Sequence, residues 1–516
     1  MNDPRQEQIA AYVSLVAQVN RSLHSRAWWA TDFSSKNRFN SRLPELIQKL
    51  PAMPTTSFKV IVLKTLKRFT GGGYHFFRLL FRHFAAQSGL SKKLVSVFAD
   101  QKPAYVIKTF VYDHSFAKDG TYKDSFFGKL PEFLKDKGER VIFFANILGD
   151  YKSCLQKIAD CPNAVIVPID YFSSLSSIYE SVAVSCSYWP QLKVPVKFLQ
   201  YEVRDLINTE LASCSGTIQP YQYLHYGQTK NLLSRIPVKT FLLTYENNPW
   251  EKMCMLAVRE SSPQPEVIGY QHTVTPQASV NMFIGQEEEN IIPKPDRVLT
   301  VGEEPKDIIA RYTQIKSLPL EAACALRYEN LWQLSPLSRT RTKTILLGLE
   351  GIFEVYKMVN FAIEQLQGKD YKVIIRTHPV LPVKTFSHKL LGRLEHLPFI
   401  EVSQGKTLVE DLARTDMTMY WGSTVSLESL WVGKPVIHFD LETLFSYDPL
   451  FACDALKKTV TRQSSLVGAM EQFYALSDTD FLAERQKAFA YLQQYFYPVN
   501  PQNLAKFLPK MTRHSS

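Results

Sequence analysis

The residues of this chain that could do chemistry stand at the ends of short apolar runs. His378 follows Val373-Ile374-Ile375-Arg376-Thr377, and Pro379 closes that run. Gly422, Ser423, Thr424 and Ser426 follow Met417–Trp421, and Glu428 comes two positions later. Glu350 follows Thr344–Gly348, Glu246 follows Thr240–Thr244, and His272 follows Val267–Tyr270. Asp113, with His114 beside it, comes just after Ala104–Val111. A cation and an imidazole at one strand end, with hydroxyls beside free backbone N–H groups at another, make a site for a nucleotide's phosphate. A carboxylate or imidazole at a third strand end is a candidate base for a hydroxyl proton, a task worth ~100- to 10,000-fold in rate.

Each of these residues also has an ordinary explanation. Ser423 or Thr424 can simply cap a helix. Arg376 can be an ion-pair partner, Asp113 a turn former, and Glu246 an acid facing a helix dipole. Glu428 can lie on a solvated helix face. The functional reading rests on several polar strand ends in the same kind of sheet, because ligands of open α/β sheets sit outside the carboxyl ends of the strands.

The elements that would position these residues follow from the apolar runs. Runs without polar alternation read as strands buried on both faces of a parallel sheet, and helical stretches alternate with them. Residues 1–100 read as a helical basic and aromatic region, in which Gly71-Gly72-Gly73 breaks the helical pattern. Residues 101–275 read as one doubly wound domain and 276–295 as a linker. Residues 296–485 read as a second such domain, opened by Asp296–Gly302, and 486–516 as a closing helix and tail. Trp28-Trp29 with Asp32, Ser34, Ser35 and Lys36 reads either as the lining of an acceptor site or as a buried aromatic anchor with a capped turn.

Thr377-His378-Pro379 together with Gly422–Ile437 (GSTVSLESLWVGKPVI) resembles the donor half of GT-B glycosyltransferases. The pair is most similar to bacterial enzymes that use CMP-activated acidic sugars, with their HP and Ser/Thr motifs. It also resembles polyol-phosphate transferases that use CDP-glycerol. The resemblance implies two Rossmann-type domains facing across a cleft. It implies that His378 and the hydroxyls of 423–426 hold the donor phosphate, with Arg376 helping to stabilise it. Glu350 and Glu428 would contact ribose or sugar. Glu246, Asp113 or His272 would be the catalytic base. The Gln271-His272 pair is similar to the Gln-His-Gly stretch of glycerophosphate and capsule transferases, but Thr273 stands in place of the glycine, which points His272 toward donor contact. The stretch WWATDFSSKN (Trp28–Asn37) and the YENNPWE and GYQH stretches resemble a bacterial surface-carbohydrate biosynthesis family. The implied activity is an inverting glycosyl transfer from a CMP-linked ketosugar, such as Kdo or a nonulosonic acid, to a surface-glycan, capsule or lipopolysaccharide acceptor. A polyol-phosphate transferase and a non-catalytic nucleotide- or glycan-binding partner are the alternatives. A UDP-sugar 2-epimerase is disfavoured, because its Ser-Gly-Gly turn is replaced by Gly422-Ser423-Thr424. No Asp-x-Asp pair is well placed, so neither a catalytic metal nor a resident cofactor is expected.

Composition sets the remaining bounds. The chain has 516 residues, a net charge of +11 and seven cysteines without a Cys-x-x-Cys pair, which fits a reducing, cytoplasmic setting without a zinc site. No apolar run approaches the ~20 residues that a membrane helix needs, and the first residues lack the layout of a secretion signal. Between Glu45 and Asp100 the chain has lysines, arginines and aromatics and no acid. Residues 49–93 are therefore expected to meet an anionic membrane surface, or else to be a solvated basic face over an aromatic core. No nucleic-acid-binding motif is present.

Overall fold

The computed structural model describes residues 4–36, 43, 58–212, 217–261, 265–386, 394 and 396–510. Two units emerge, each on its own parallel sheet. The first unit comprises Met1–Thr273, Val280–Arg327 and Tyr497–Ser516. Its strands are β1 (Ala104–Val111), β2 (Arg140–Ile147), β3 (Ile166–Pro168), a small antiparallel hairpin of β4 (Lys197–Phe198) and β5 (Tyr201–Glu202), then β6 (Val238–Thr244), β7 (Glu266–Tyr270), β8 (Arg297–Thr300) and β9 (Leu320–Ala322). The sheet order is β3-β2-β1-β6-β7-β8-β9, all parallel. The chain therefore builds outward from β1 in one direction, returns, and builds outward in the other. The switch lies between β1 and β6, where the strand ends leave a crevice for a ligand.

The second unit, Val274–Ser279 with Tyr328–Phe496, repeats that plan. Its strands are β10 (Thr344–Gly348), β11 (Lys372–Arg376), β12 (Ile400–Val402), β13 (Met417–Tyr420), β14 (Val436–Phe439) and β15 (Lys457–Val460). They run in the order β12-β11-β10-β13-β14-β15, again all parallel. Ile345, Leu347, Ile375, Met419 and Ile437 from the strands pack with Met358, Val359 and Met470 from the helices Val355–Leu366 and Leu466–Ala475. The switch here lies between β10 and β13. Both units thus have the doubly wound α/β order expected of them.

The boundaries differ from the expected ones. Asp296–Gly302 does not open the second unit, since β8 joins β7 with Arg297 opposite Ile268. Arg297 is buried and needs partners there. It pairs with Glu266 at 2.7 Å and donates to the carbonyls of Lys506 and Leu508 at 2.6 and 2.9 Å. That contact fastens the chain's closing segment to the first unit, so the expected breaks at 296 and 486 become 328 and 497.

Nor is 276–295 a free linker. Glu288 is fully buried and pairs with the equally buried Lys36, whose Nζ reaches the two carboxylate oxygens at 2.9 and 2.7 Å. Asn20 donates to the same carboxylate and accepts the Trp28 indole N–H at 2.8 Å. Lys252 binds the Ser34 carbonyl and Ser35 hydroxyl at 3.0 and 2.8 Å. The 28–36 stretch is accordingly a buried anchor and does not line an acceptor site.

The helix Phe58–Ala99 runs unbroken through Gly71-Gly72-Gly73. Gly72 explains why. A Cβ there would stand 2.7 Å from Cys186 Sγ, so the glycine lets the helix Leu175–Ser187 pack close, which offsets its poor helix propensity. Phe76 and Phe98 pack inward, against Leu79 and against Tyr171 and Phe172, but most of the described aromatics of this helix are not core. Phe69, Tyr74, Phe77, Phe81 and Phe84 are each more than half exposed, opposite the buried Leu79, Ala86, Leu90 and Leu94. The cations are less uniform. Arg68 donates to the Tyr188 carbonyl and Thr217, and Lys93 to the carbonyls of Ile158, Ala159 and Cys161. The side chains of Lys49, Lys59, Lys64 and Lys67 lie outside the described residues. No described helix is long and apolar enough to cross a membrane.

Removing one member of a buried pair leaves the other charge uncompensated, at a cost of about 3–5 kcal/mol. Lys36→Met should lower the urea midpoint accordingly. An unchanged midpoint would mean that the pair does not hold the 28–36 and 285–288 segments together.

Candidate functional site

Three adjacent strand ends meet at the switch of the second unit. Glu350 follows β10, His378 follows β11, and Gly422–Ser426 follow β13. Glu350 accepts the Gly422 N–H, while its Oε2 is buried without a hydrogen-bond partner. Burial raises its pKa to about 7, against the opposing pull of the Gly422 N–H. His378 lies against bare backbone, because a Cβ on Gly351 would stand 2.9 Å from its Nδ1. The Val380 N–H donates to that Nδ1 at 3.2 Å, so the neutral ring carries its proton on Nε2, a donor suited to an anion. Gly422 has no room for a side chain, since a Cβ would meet the Tyr447 carbonyl at 3.0 Å and Glu350 Oε1 at 3.5 Å.

The hydroxyls divide by role. Thr424 is the N-cap residue of the helix Val425–Trp431, yet its side chain makes no capping bond. Ser423 is nearly buried, its Oγ 3.4 Å from the Val425 N–H. Ser426 is fully buried and donates to the Ser423 carbonyl at 2.8 Å, so its hydroxyl closes the turn. Glu428 is half-buried on the same short helix. Arg376 is held by the fully buried Asp411 at 2.8 Å and the Lys406 carbonyl at 3.0 Å, which is the ion-pair role described above as its ordinary explanation. Sequence reasoning passed over Ile352, Phe353 and Val380, which are exposed apolar residues close in sequence to Glu350 and His378. Their only signal was apolar character in a loop flanking polar strand ends.

In the first unit, Glu246 and His272 stand at the ends of the neighbouring strands β6 and β7. Glu246 sits in a fixed turn. The fully buried Glu251 takes the N–H groups of Glu246 and Asn248, at 3.0 and 2.8 Å. Asn247 adopts φ +58° and donates to the Asn281 carbonyl at 2.8 Å. The Glu246 carboxylate accepts from Asn248 Nδ2 at 3.1 Å. His272 is buried beside Phe126, and its Nδ1 has no hydrogen-bond partner. Burial lowers its pKa to about 4, although the Glu246 charge pulls the other way, so the ring is neutral at pH 7. Asp113 is placed differently. Ser153 donates to it at 2.6 Å and Lys157 pairs with it at 3.1 Å, and these bonds depress its pKa and weaken it as a base.

Among the described residues, no group of histidines, cysteines and acids is placed to hold a metal ion. The six described cysteines are buried and free.

No family model and no curated protein matches the chain in sequence. Among solved structures, it is similar to the glycosyltransferase SnogD from Streptomyces nogalater, at 11% identity and a TM-score of 0.42, covering 78% of this chain and 98% of that one. It is also similar to a UDP-GlcNAc 2-epimerase from Methanocaldococcus jannaschii, at 11% and 0.42, covering 75% and 98%. A third similar structure is the alpha,alpha-trehalose 6-phosphate synthase from Burkholderia multivorans, at 9% and 0.44, covering 78% and 96%.

Glu350 sets a pH dependence. Its folded pKa lies above the usual carboxylate value of 4.5, so its favourable contribution is complete below pH 4.5 and is lost as pH rises through about 7. Glu350→Gln keeps an acceptor for the Gly422 N–H and cannot ionise. It should raise the stability at pH 8 by at most about 3 kcal/mol relative to its effect at pH 4.5. Chemical denaturation at the two pH values checks this, and equal effects would mean that the carboxyl is not held in its neutral form.

Proposed function

We propose that this chain is a nucleotide-sugar-dependent glycosyltransferase that binds its donor at the switch point of the second sheet. The observation that carries the reading is the meeting there of His378, the uncapped Thr424 and Glu350 with its unpartnered buried oxygen. An imidazole N–H and hydroxyls suit the leaving phosphate, whose charge grows during transfer. A carboxyl with a spare oxygen suits a ribose or sugar hydroxyl. The HP and Ser/Thr motifs favour a CMP-linked ketosugar as donor.

Glu246 is the proposed base. It takes the proton of the acceptor hydroxyl from a turn that Glu251 and Asn247 hold fixed, and a single base suffices for inversion. The buried, neutral His272 beside it is assigned to orient substrate. Arg376 and Ser426 support the site's frame and do not touch donor in this reading. The acceptor is a surface glycan or a lipid-linked precursor, and the reaction is placed on the cytoplasmic side of the membrane. No metal or resident cofactor is invoked.

Thermal shift with CMP, CDP, UDP, GDP and ADP tests the donor side. A nucleotide at 100 times its Kd stabilises the protein by ~2.7 kcal/mol. CMP should do so selectively, and His378→Ala should abolish the shift. Selective stabilisation by UDP or GDP would discard the ketosugar, and silence across the panel would remove the donor site. On the catalytic side, Glu246→Gln should lower transfer by ~100- to 10,000-fold with folding intact.

The exposed aromatic face of the helix Phe58–Ala99, with the exposed Lys92 on the same helix, is proposed to lie on an anionic bilayer. The protein should float with phosphatidylserine vesicles, and Phe77→Ser with Phe81→Ser should release it. Concentration-dependent dimerisation lost in that double variant, without vesicle binding, would assign the face to a second copy instead.

A further inference from the structure

A cavity of about 480 Å³ opens at the carboxyl edge of the first sheet, beside its own switch point. Phe110 of β1, Asn146 of β2 and Trp250 of the helix Pro249–Ser261 after β6 form one wall. Across from them stand Arg78 and Arg82 of the helix Phe58–Ala99, with Asp170 from the turn after β3. None of the residues identified above as base or donor contacts lines it, although Trp250 lies only four positions after Glu246.

The wall has an unusual backing. Lys108, in the middle of β1, is fully buried, with its Nζ 4.8 Å from the Phe110 ring and 4.7 Å from the Trp250 ring. Its hydrogen bond among the described residues goes to the Thr109 carbonyl at 3.3 Å, and no carboxylate is in ion-pair contact with it. A buried cation without an ion-pair partner in contact is costly, and a nearby anion would offset that cost. Burial lowers its pKa to about 8, partly opposed by the more distant Cys254, Glu251 and Asp170 side chains.

The polar groups that line the cavity are set in orientation. His225 Nδ1 donates to the Tyr221 carbonyl at 2.6 Å, so its Nε2 accepts from Asn146 Nδ2 at 3.2 Å. The Asn146 amide oxygen is thereby left without a partner. Asp170 is buried and accepts from the Tyr151 hydroxyl at 3.2 Å. Arg82 stacks on Tyr151 at 4.6 Å, and neither Arg78 nor Arg82 has an ion pair among the described residues.

We propose that this cavity binds an anionic saccharide. The sugar ring lies on Phe110 and Trp250, its hydroxyls meet Asn146 and Asp170, and its phosphate or carboxylate is taken by Arg78 and Arg82. Aromatic faces suit the C–H face of a sugar, carboxylate and amide groups suit its hydroxyls, and guanidinium groups suit its anion bidentately. The binding stands on this cavity alone. Only its role as the acceptor site rests on the glycosyltransferase reading.

Calorimetric titration of the full chain tests it with glucose 1-phosphate, N-acetylneuraminate and neutral methyl glucoside, and in parallel with phosphatidylcholine vesicles carrying phosphatidylinositol. At least one anionic probe should bind tenfold or more tighter than methyl glucoside. Arg78→Gln, at an exposed position, should erase most of that preference with the fold intact, and Arg78→Gln with Arg82→Gln should erase it fully. Binding to the vesicles without binding to the free sugars, lost in the same variants, would assign the two arginines to the membrane face of the helix and overturn the proposal. Equal affinity for neutral and anionic sugars, no binding of any probe, or binding indifferent to both arginines would overturn it. The CMP shift reads the second unit separately, so loss of one result with retention of the other identifies which reading failed.

Discussion

The pair of Lys36 and Glu288 is the constraint on which the first unit depends. Two full charges sit in its interior, 252 positions apart in sequence, and each is tolerable only because the other is there. Around them Asn20, Trp28 and the Gly285 N–H complete the hydrogen bonds. The pair ties the 33–36 turn to the turn at 285–288, and Asn20 brings the N-terminal helix Pro4–Leu23 to the same carboxylate. The 285–288 turn follows Asn281, whose carbonyl receives Asn247 and so helps to hold the Glu246 turn. A structural ion pair therefore stands two contacts behind a candidate base.

The two units solve one problem twice. In each, the chain starts its sheet in the middle, and the reversal of direction leaves a crevice at the carboxyl edge. The crevices differ in furniture. The second unit's is lined by glycines that admit His378 and Tyr447 close to backbone, with small hydroxyls beside them. The first unit's is walled by large aromatics and arginines. Small groups and N–H donors fit a phosphate, and broad rings fit a sugar.

Much of this was legible in the chain. Thr344–Gly348 and Val436–Phe439 are largely apolar and buried throughout, as strands covered on both faces must be. The polar strand ends were readable because a doubly wound sheet puts every such end on one edge. What escaped was long-range pairing. Nothing local in Arg297 says that its partners are Glu266 and the carbonyls of Lys506 and Leu508, so the strand it begins was assigned to the wrong unit. Three consecutive glycines look like a helix break until Cys186 is seen pressed against Gly72. Arg376 and Ser426 have the right chemistry for phosphate, and only coordinates show that Asp411 and the Ser423 carbonyl already engage them. Lys108 was hidden for the opposite reason, as one charge within an apolar strand gives no hint of the rings around it.

The path of the chain has a consequence for how the protein is made. The first unit is left at Thr273, rejoined at Val280, left again at Arg327 and rejoined at Tyr497. Tyr105, near the start of the first strand, donates to the carbonyl of Phe507 at 2.8 Å. During synthesis, the sheet that begins at Ala104 must wait for 402 residues beyond Tyr105 before this partner emerges from the ribosome. The second unit ends at Phe496, before that last segment, and can close earlier. Folding is therefore out of order with respect to sequence: the unit that starts first finishes last, and its partly covered sheet is the stretch most in need of a chaperone while it waits.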